Sequence, residues 1–142
     1  MKISTKSRYG LRVMLDIFQQ GGQGPVAIKE IAERQSLSVK YTEQIMVLLV
    51  RAGFLRSIRG AQGGYEPLRP ASEYTVGEIV RGLEGDIVPV ECLADEAACG
   101  RRENCMTYGL WKGLYDTVNA YLDGVTLQDL LDAASCGDDY SI

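Results

Sequence analysis

The chain contains no histidine, and its 142 residues include only two phenylalanines, one tryptophan and four prolines. Without imidazole, and with no nucleophile set beside a base, the usual acid–base machinery of an enzyme is missing. No stretch of about 18 apolar residues occurs, so no membrane helix is expected. The opening MKISTKSRYG lacks the apolar core of a signal peptide. These absences predict a cytoplasmic protein that is not an enzyme and has no membrane partner. In a reducing compartment, cysteines bind metal or sense redox state more often than they pair as disulfides.

Charge is present but divided. Residues 1–70 hold eleven Lys and Arg against five acids, a net +6, and residues 71–142 hold four against fourteen, a net −10. A basic half joined to an acidic half fits a nucleic-acid-binding module linked to a second function. The cysteines are clustered too. Cys92, Cys99 and Cys105 lie in one loop-like stretch, CLADEAACGRRENC, and Cys136 stands apart in the tail. Three thiolates in a loop suggest a soft-metal or iron–sulfur site.

Apolar spacing sets out the elements. Tyr9, Val13, Met14, Ile17 and Phe18 follow a helical period that Gly21, Gly22 and Gly24 end. A short helix fits 27–34. After Gln35-Ser36-Leu37, Ser38 is placed to cap a third helix carrying Tyr41, Ile45, Leu48, Leu49 and Ala52 on its apolar face, with Gly53 at its end. Helix, tight turn and capped helix make a helix-turn-helix. Two β-like runs, 54–58 and 65–68, flank RGAQGG, so a hairpin wing follows. Thr75-x-x-Glu78 reads as a capping box opening a fourth helix. An irregular loop covers 86–104. A long helix over 106–122 carries Met106, Leu110, Leu114, Val118, Tyr121 and Leu122 on one side, and Thr126-x-x-Asp129 opens a last short helix.

A helix-turn-helix places its second helix in the major groove. The polar residues at its start are Ser38, Lys40, Tyr41, Thr42, Glu43 and Gln44. Gln44 suits adenine edges, and Ser38 or Thr42 suits either base type. Glu43 would repel phosphates unless it accepts from cytosine N4, which would make it a discriminator; otherwise it is a solvated surface charge. Arg59 on the wing tip suits a narrow minor groove. Lys6, Arg8, Arg51 and Arg56 are candidate phosphate contacts, with ordinary surface charge as the alternative.

KISTKSRYGLRVML, SLSVKYTEQI, IRGAQGGY and the cysteine loop running into LWKGL together resemble the IscR-type winged-helix transcription regulators, over about residues 1–131. The resemblance implies a mainly α fold with a small β-hairpin wing and a long dimerisation helix. It also implies a homodimer on palindromic double-stranded operator DNA, and a 2Fe–2S iron–sulfur cluster. It assigns base reading to Ser38, Tyr41 and Gln44, choice between operator classes to Glu43, and minor-groove entry to Arg59. Cys92, Cys99 and Cys105 match its cluster ligands, with the first interval one residue longer.

The family's fourth ligand is a histidine three residues beyond the last cysteine. Here that position is Tyr108. Nitric-oxide-sensing relatives instead use an N-terminal aspartate, where this chain has Arg8. Tyr108, Cys136, a carboxylate or an external ligand remain candidates. The expected organisation is a winged helix-turn-helix over 1–85, a cluster-binding cysteine loop over 86–105, and a dimerisation helix with C-terminal tail over 106–142. The expected function is a regulator that senses iron–sulfur status and controls cluster biogenesis genes. The alternative is a thiol-redox or cysteine-metabolism repressor of the same fold.

Overall fold

The computed structural model describes residues 1–21 and 24–136. Its helices are α1 (Thr5–Gln19), α2 (Ile28–Gln35), α3 (Val39–Arg51), α4 (Val76–Glu84), α5 (Tyr108–Asp123) and α6 (Leu127–Ser135). Between α3 and α4, β1 (Leu55–Ile58) and β2 (Gly64–Pro67) pair antiparallel with Arg56 opposite Glu66. The expected mainly α fold with a hairpin wing is what forms.

The helix ends follow their capping chemistry. Ser4 and Ser38 accept from the backbone N–H groups of Ser7 and Tyr41, so each satisfies a donor left free in a first turn. At the end of α3, Gly53 takes φ +80°, its N–H donates to Val50, and the Phe54 N–H donates to the Leu49 carbonyl. That closure turns the chain straight into β1. The turn between α2 and α3 closes the same way without glycine. Ser36 adopts φ 56°, and the Leu37 N–H donates to Ala32 at 2.8 Å.

Two expectations need correction. Only half of the capping box at Thr75 forms: Thr75 accepts from the Glu78 N–H, but the Glu78 carboxylate pairs with Arg69 at 2.6 Å. The complete box is at Thr126 and Asp129. The long helix begins at Tyr108, which leaves Met106 outside it and 99% exposed. The loop before it is ordered by 3₁₀ turns at Glu91–Leu93, Glu96–Ala98 and Arg102–Asn104.

One core joins α1, α2, α3, β1 and α6 through Val13, Met14, Ile17, Ile31, Ile45, Met46, Leu49, Leu55, Tyr74 and Leu127. Tyr74 sits at its centre, fully buried, with Phe18 and Phe54 packed edge-on against its ring. Its hydroxyl donates to the Phe54 carbonyl at 2.6 Å and accepts from the Leu68 N–H at 3.1 Å. Tyr74→Phe would leave both backbone groups short of a partner. A loss of about 1–3 kcal/mol is expected, read as a lower midpoint in chemical denaturation.

The wing is docked rather than free. Val26, just before α2, exchanges two backbone hydrogen bonds of 2.9 Å with Tyr65 and so adds a short third edge to the hairpin. A smaller apolar cluster of Val76, Val80 and Ile87, with Leu122 and Val125 beside it, ties α4 to α5. Arg81 reinforces that junction through Asn119 at 3.0 Å and an ion pair with Asp123.

Candidate nucleic-acid interface and cysteine loop

The outward stripe of α3 carries Lys40, Glu43, Gln44, Val47 and Arg51, all exposed. Inward, Thr42, Ile45, Met46 and Leu49 are buried. Thr42 is therefore not a base contact. Its side chain is fully buried and its hydroxyl donates to the Ser38 carbonyl at 2.8 Å. Ser38 is exposed; its oxygen accepts from the Tyr41 N–H at 3.1 Å, so the hydroxyl proton is what it can offer a ligand. Tyr41 is half-buried, edge-on to Tyr9 with ring centroids 5.9 Å apart. Val47, half exposed, was not apparent among the polar residues of the sequence, and an apolar contact there suits a thymine methyl.

Arg59 opens the wing tip and is exposed, beside Gly60 at φ +117°. The four arginines and lysines assigned to phosphates differ in setting. Arg51 is exposed, and Arg8 is exposed with a hydrogen bond to Thr5 at 3.3 Å. Lys6 is half-buried, close enough to help hold the Glu84 carboxyl below its usual range. Burial is the largest single influence and opposes that lowering, but hydrogen bonding from Ser4, the neighbouring Ser7 hydroxyl and the Lys6 charge together outweigh it. Arg56 is held across the hairpin by Glu66 at 2.5 Å, which neutralises part of its charge.

A network behind the turn had no signature in the sequence. Asp16 on α1 is only 2% exposed. The single Arg34 Nε–H is shared between its two carboxylate oxygens at 3.0 and 3.1 Å, and the carboxylate accepts further from Arg34 Nη2 at 2.8 Å and from Gln35 Nε2 at 2.9 Å. A carboxylate this buried is tolerated because its lone pairs are occupied. Gln35 in turn accepts from Arg12, at its side-chain oxygen (3.0 Å) and its backbone carbonyl (2.9 Å).

Cys92, Cys99 and Cys105 are unpaired thiols of intermediate exposure, and Cys136 is exposed at the end of α6. Most of the tail, 137–142, lies outside the described residues. The Cys105 thiol is lowered from its ordinary pKa, chiefly by the Thr107 hydroxyl 3.4 Å from its sulfur and then by backbone N–H groups at the start of α5. Cys99 shares a cleft with Glu96, Arg102, Glu103 and Tyr108. Arg102 closes it: it pairs with Glu96 at 2.5 Å, donates to the Tyr108 hydroxyl at 2.8 Å and stacks 5.0 Å from its ring centre.

Three thiols on one loop are a donor set suited to iron–sulfur ligation. Their arrangement is not yet that of a site. Among the described residues, no three cysteine, aspartate or glutamate side chains are gathered to hold a metal. The Tyr108 oxygen already accepts one hydrogen bond from Arg102.

On α5 the expected apolar stripe is largely uncovered. Leu110 is 62% and Tyr121 71% exposed, and Leu114 also faces out. No helix among the described residues is long and apolar enough to cross a membrane.

A helix-turn-helix with polar residues on the outer face of its second helix, followed by a docked hairpin with an arginine at its tip, defines a winged-helix DNA-binding transcription regulator. The family model Rrf2, described as an iron-dependent transcriptional regulator, matches residues 3–133. The chain belongs to the Rrf2 family. It is 42% identical over 141 residues to the protein rrf2 of Nitratidesulfovibrio vulgaris (strain Hildenborough), covering 96% of this chain and 91% of that one. It is 45% identical to the regulator CymR of Bacillus subtilis over 92% of this chain and 89% of the relative. The solved structure of that global cysteine regulator superposes with TM-score 0.75 over 92% of this chain and 95% of the other. The structure of T. potens IscR gives TM-score 0.75 at 39% identity, covering 94% and 88%. The family description and the name of CymR are those of transcriptional regulators, in keeping with a chain that is not an enzyme.

Proposed function

We propose that the protein is a homodimeric DNA-binding regulator whose cysteine loop senses iron–sulfur status and controls genes of cluster biogenesis from a palindromic operator. The observation that carries this reading is the position of the cysteines. Three free thiols lie on the segment that joins the winged helix to α5, so anything gathering them acts between the DNA-reading head and the exposed α5 stripe. Cys92, Cys99 and Cys105 would hold the cluster, here 2Fe–2S, with Tyr108, Cys136 or an outside group in the fourth position. A bound cluster would supply a redox- and iron-sensitive cross-link of the loop. The chain's own part is to convert loop order into head spacing: α4 meets α5 through Arg81, Asn119 and Asp123, and the head is packed on α4. Ser38, Tyr41, Glu43, Gln44 and Lys40 would face the major groove, Arg59 the minor groove, and Lys6, Arg8, Arg51 and Arg56 the phosphates. Likeness to IscR and to the iron-dependent family description supports this assignment.

The test is anaerobic reconstitution with iron and sulfide, read by metal and sulfide analysis with EPR and Mössbauer spectra. The wild type should take up a cluster, and Cys99→Ala and Cys105→Ala should not. Tyr108→Phe and Cys136→Ala then identify the fourth ligand by which spectrum changes. Wild-type protein with intact reduced thiols and no uptake would sink the reading.

A second reading is favoured by the dispersed thiols and by the likeness to CymR: a thiol-redox or cysteine-metabolism repressor without a cluster. DNA binding by metal-free protein that falls with peroxide and returns with reductant would support it.

A further inference from the structure

Arg12 lies on α1, outside the helix-turn-helix, yet it touches the end of α2 directly and the start of α3 through Tyr9. Its Nε and Nη2 donate to the side chain and the backbone carbonyl of Gln35, the last residue of α2, at 3.0 and 2.9 Å. That carbonyl is among those left without a partner at a helix C-terminus, where a cation is favoured. The same guanidinium stacks 4.7 Å from the ring centre of Tyr9. Tyr9 meets Tyr41 edge-on, with planes at 87°. Gln35 is fixed from the other side by buried Asp16. Thus an unbroken series of contacts runs from the α1 core, through Arg12 and Tyr9, to the first turn of α3.

We propose that Arg12 is a positioning residue for DNA recognition: it sets the ring of Tyr41, and through it the start of α3, without touching DNA. The proposal rests on the assignment of α3 as the reading helix. Two features favour positioning over phosphate binding. Of the three guanidinium nitrogens of Arg12, Nε and Nη2 are committed to Gln35 and the flat face to Tyr9, which leaves Nη1 alone to face solvent. The geometry is also one lysine cannot copy, because a single ammonium cannot reach two acceptors in a fixed fork while stacking on a ring.

The probe is a duplex selected from a randomised pool by the wild-type protein, with its scrambled counterpart as control. A selection that returns no preferred sequence overturns the DNA-reading assignment itself, apart from any role of Arg12. Given a selected duplex, Arg12→Met, which keeps the aliphatic stem, should weaken binding to it by about tenfold, the scale of one misread base pair. Binding to the scrambled duplex and the salt dependence should stay at wild-type values, as should the melting temperature to within a few degrees. Arg12→Lys should not rescue. In a Tyr41→Ala background the Arg12 substitution should have no further effect, since both break the one series of contacts that runs Arg12–Tyr9–Tyr41. Equal losses on both duplexes with a salt slope reduced by about one would instead make Arg12 a phosphate contact. Losses that multiply in the double variant, or no loss in the single one, would likewise overturn the proposal.

Discussion

Leu114→Asp should abolish the proposed dimer and cost roughly 10³-fold in affinity for its DNA site, while the head keeps its fold. Leu110, Leu114 and Tyr121 line one exposed side of α5. An apolar stripe left open on a single chain marks an interaction surface. A carboxylate there would be buried without a partner on association, which costs several kcal/mol on each side of a two-fold interface. The fold of one chain is insulated from the change, because Leu114 belongs to neither buried cluster. The DNA effect follows from linkage. Two heads on one dimer bind half-sites as a single ligand, and separating them forfeits an effective concentration worth about 10²–10⁴-fold. Sedimentation would report the loss of the dimer, and anisotropy with labelled duplex the loss of affinity. A monomer that keeps wild-type affinity would remove the dimer from the account.

Gly64→Ala should destabilise the protein by about 3 kcal/mol and loosen the wing. A Cβ at Gly64 would stand 2.5 Å from the Val26 carbonyl carbon and 2.9 Å from the Ala27 nitrogen, and closer still to the Val26 oxygen. All three are backbone atoms, so no side chain can swing away. The crowding falls where Val26 and Tyr65 exchange their two hydrogen bonds. Relief therefore means breaking that edge, and overpacking of this kind costs about 1–3 kcal/mol or more. With the wing displaced, Arg59 loses its fixed position, so DNA affinity should fall along with the denaturation midpoint. Gly60→Ala is a useful contrast. It meets no atom but sits at φ +117°, so it tests strain in the tip without disturbing the dock.

Much of the fold could be read from the residues, and the reasons are local. Ser38, Gly53 and Thr126 act through hydrogen bonds to neighbours within a few positions, which spacing alone reveals. The misreadings came where a distant partner decided. Glu78 has the right spacing for a capping box, but Arg69 draws its carboxylate away. The apolar pattern of α3 was centred one residue off. Tyr41, Leu48 and Ala52 are only half-buried, while Met46 and the small polar Thr42 take the core positions. Thr42 can do so because its hydroxyl bonds back to the helix, a fate its polarity conceals. Nothing near Val26 announced that it would pair with the wing, and nothing near Arg12 announced Gln35. The cysteines were legible as a group, but their gathering is a property of three-dimensional chain paths and of whatever they bind.

The central claim is that the state of the cysteine loop is read at the DNA. Its most direct test uses one anaerobic preparation, divided before and after loading with iron and sulfide, with cluster content measured in each half. Affinity for the selected duplex is then determined in both. The account predicts a difference of at least about fivefold, the lower end of ordinary coupling between sites, and its disappearance in Cys99→Ala. Equal affinities in fully loaded and cluster-free protein would contradict it.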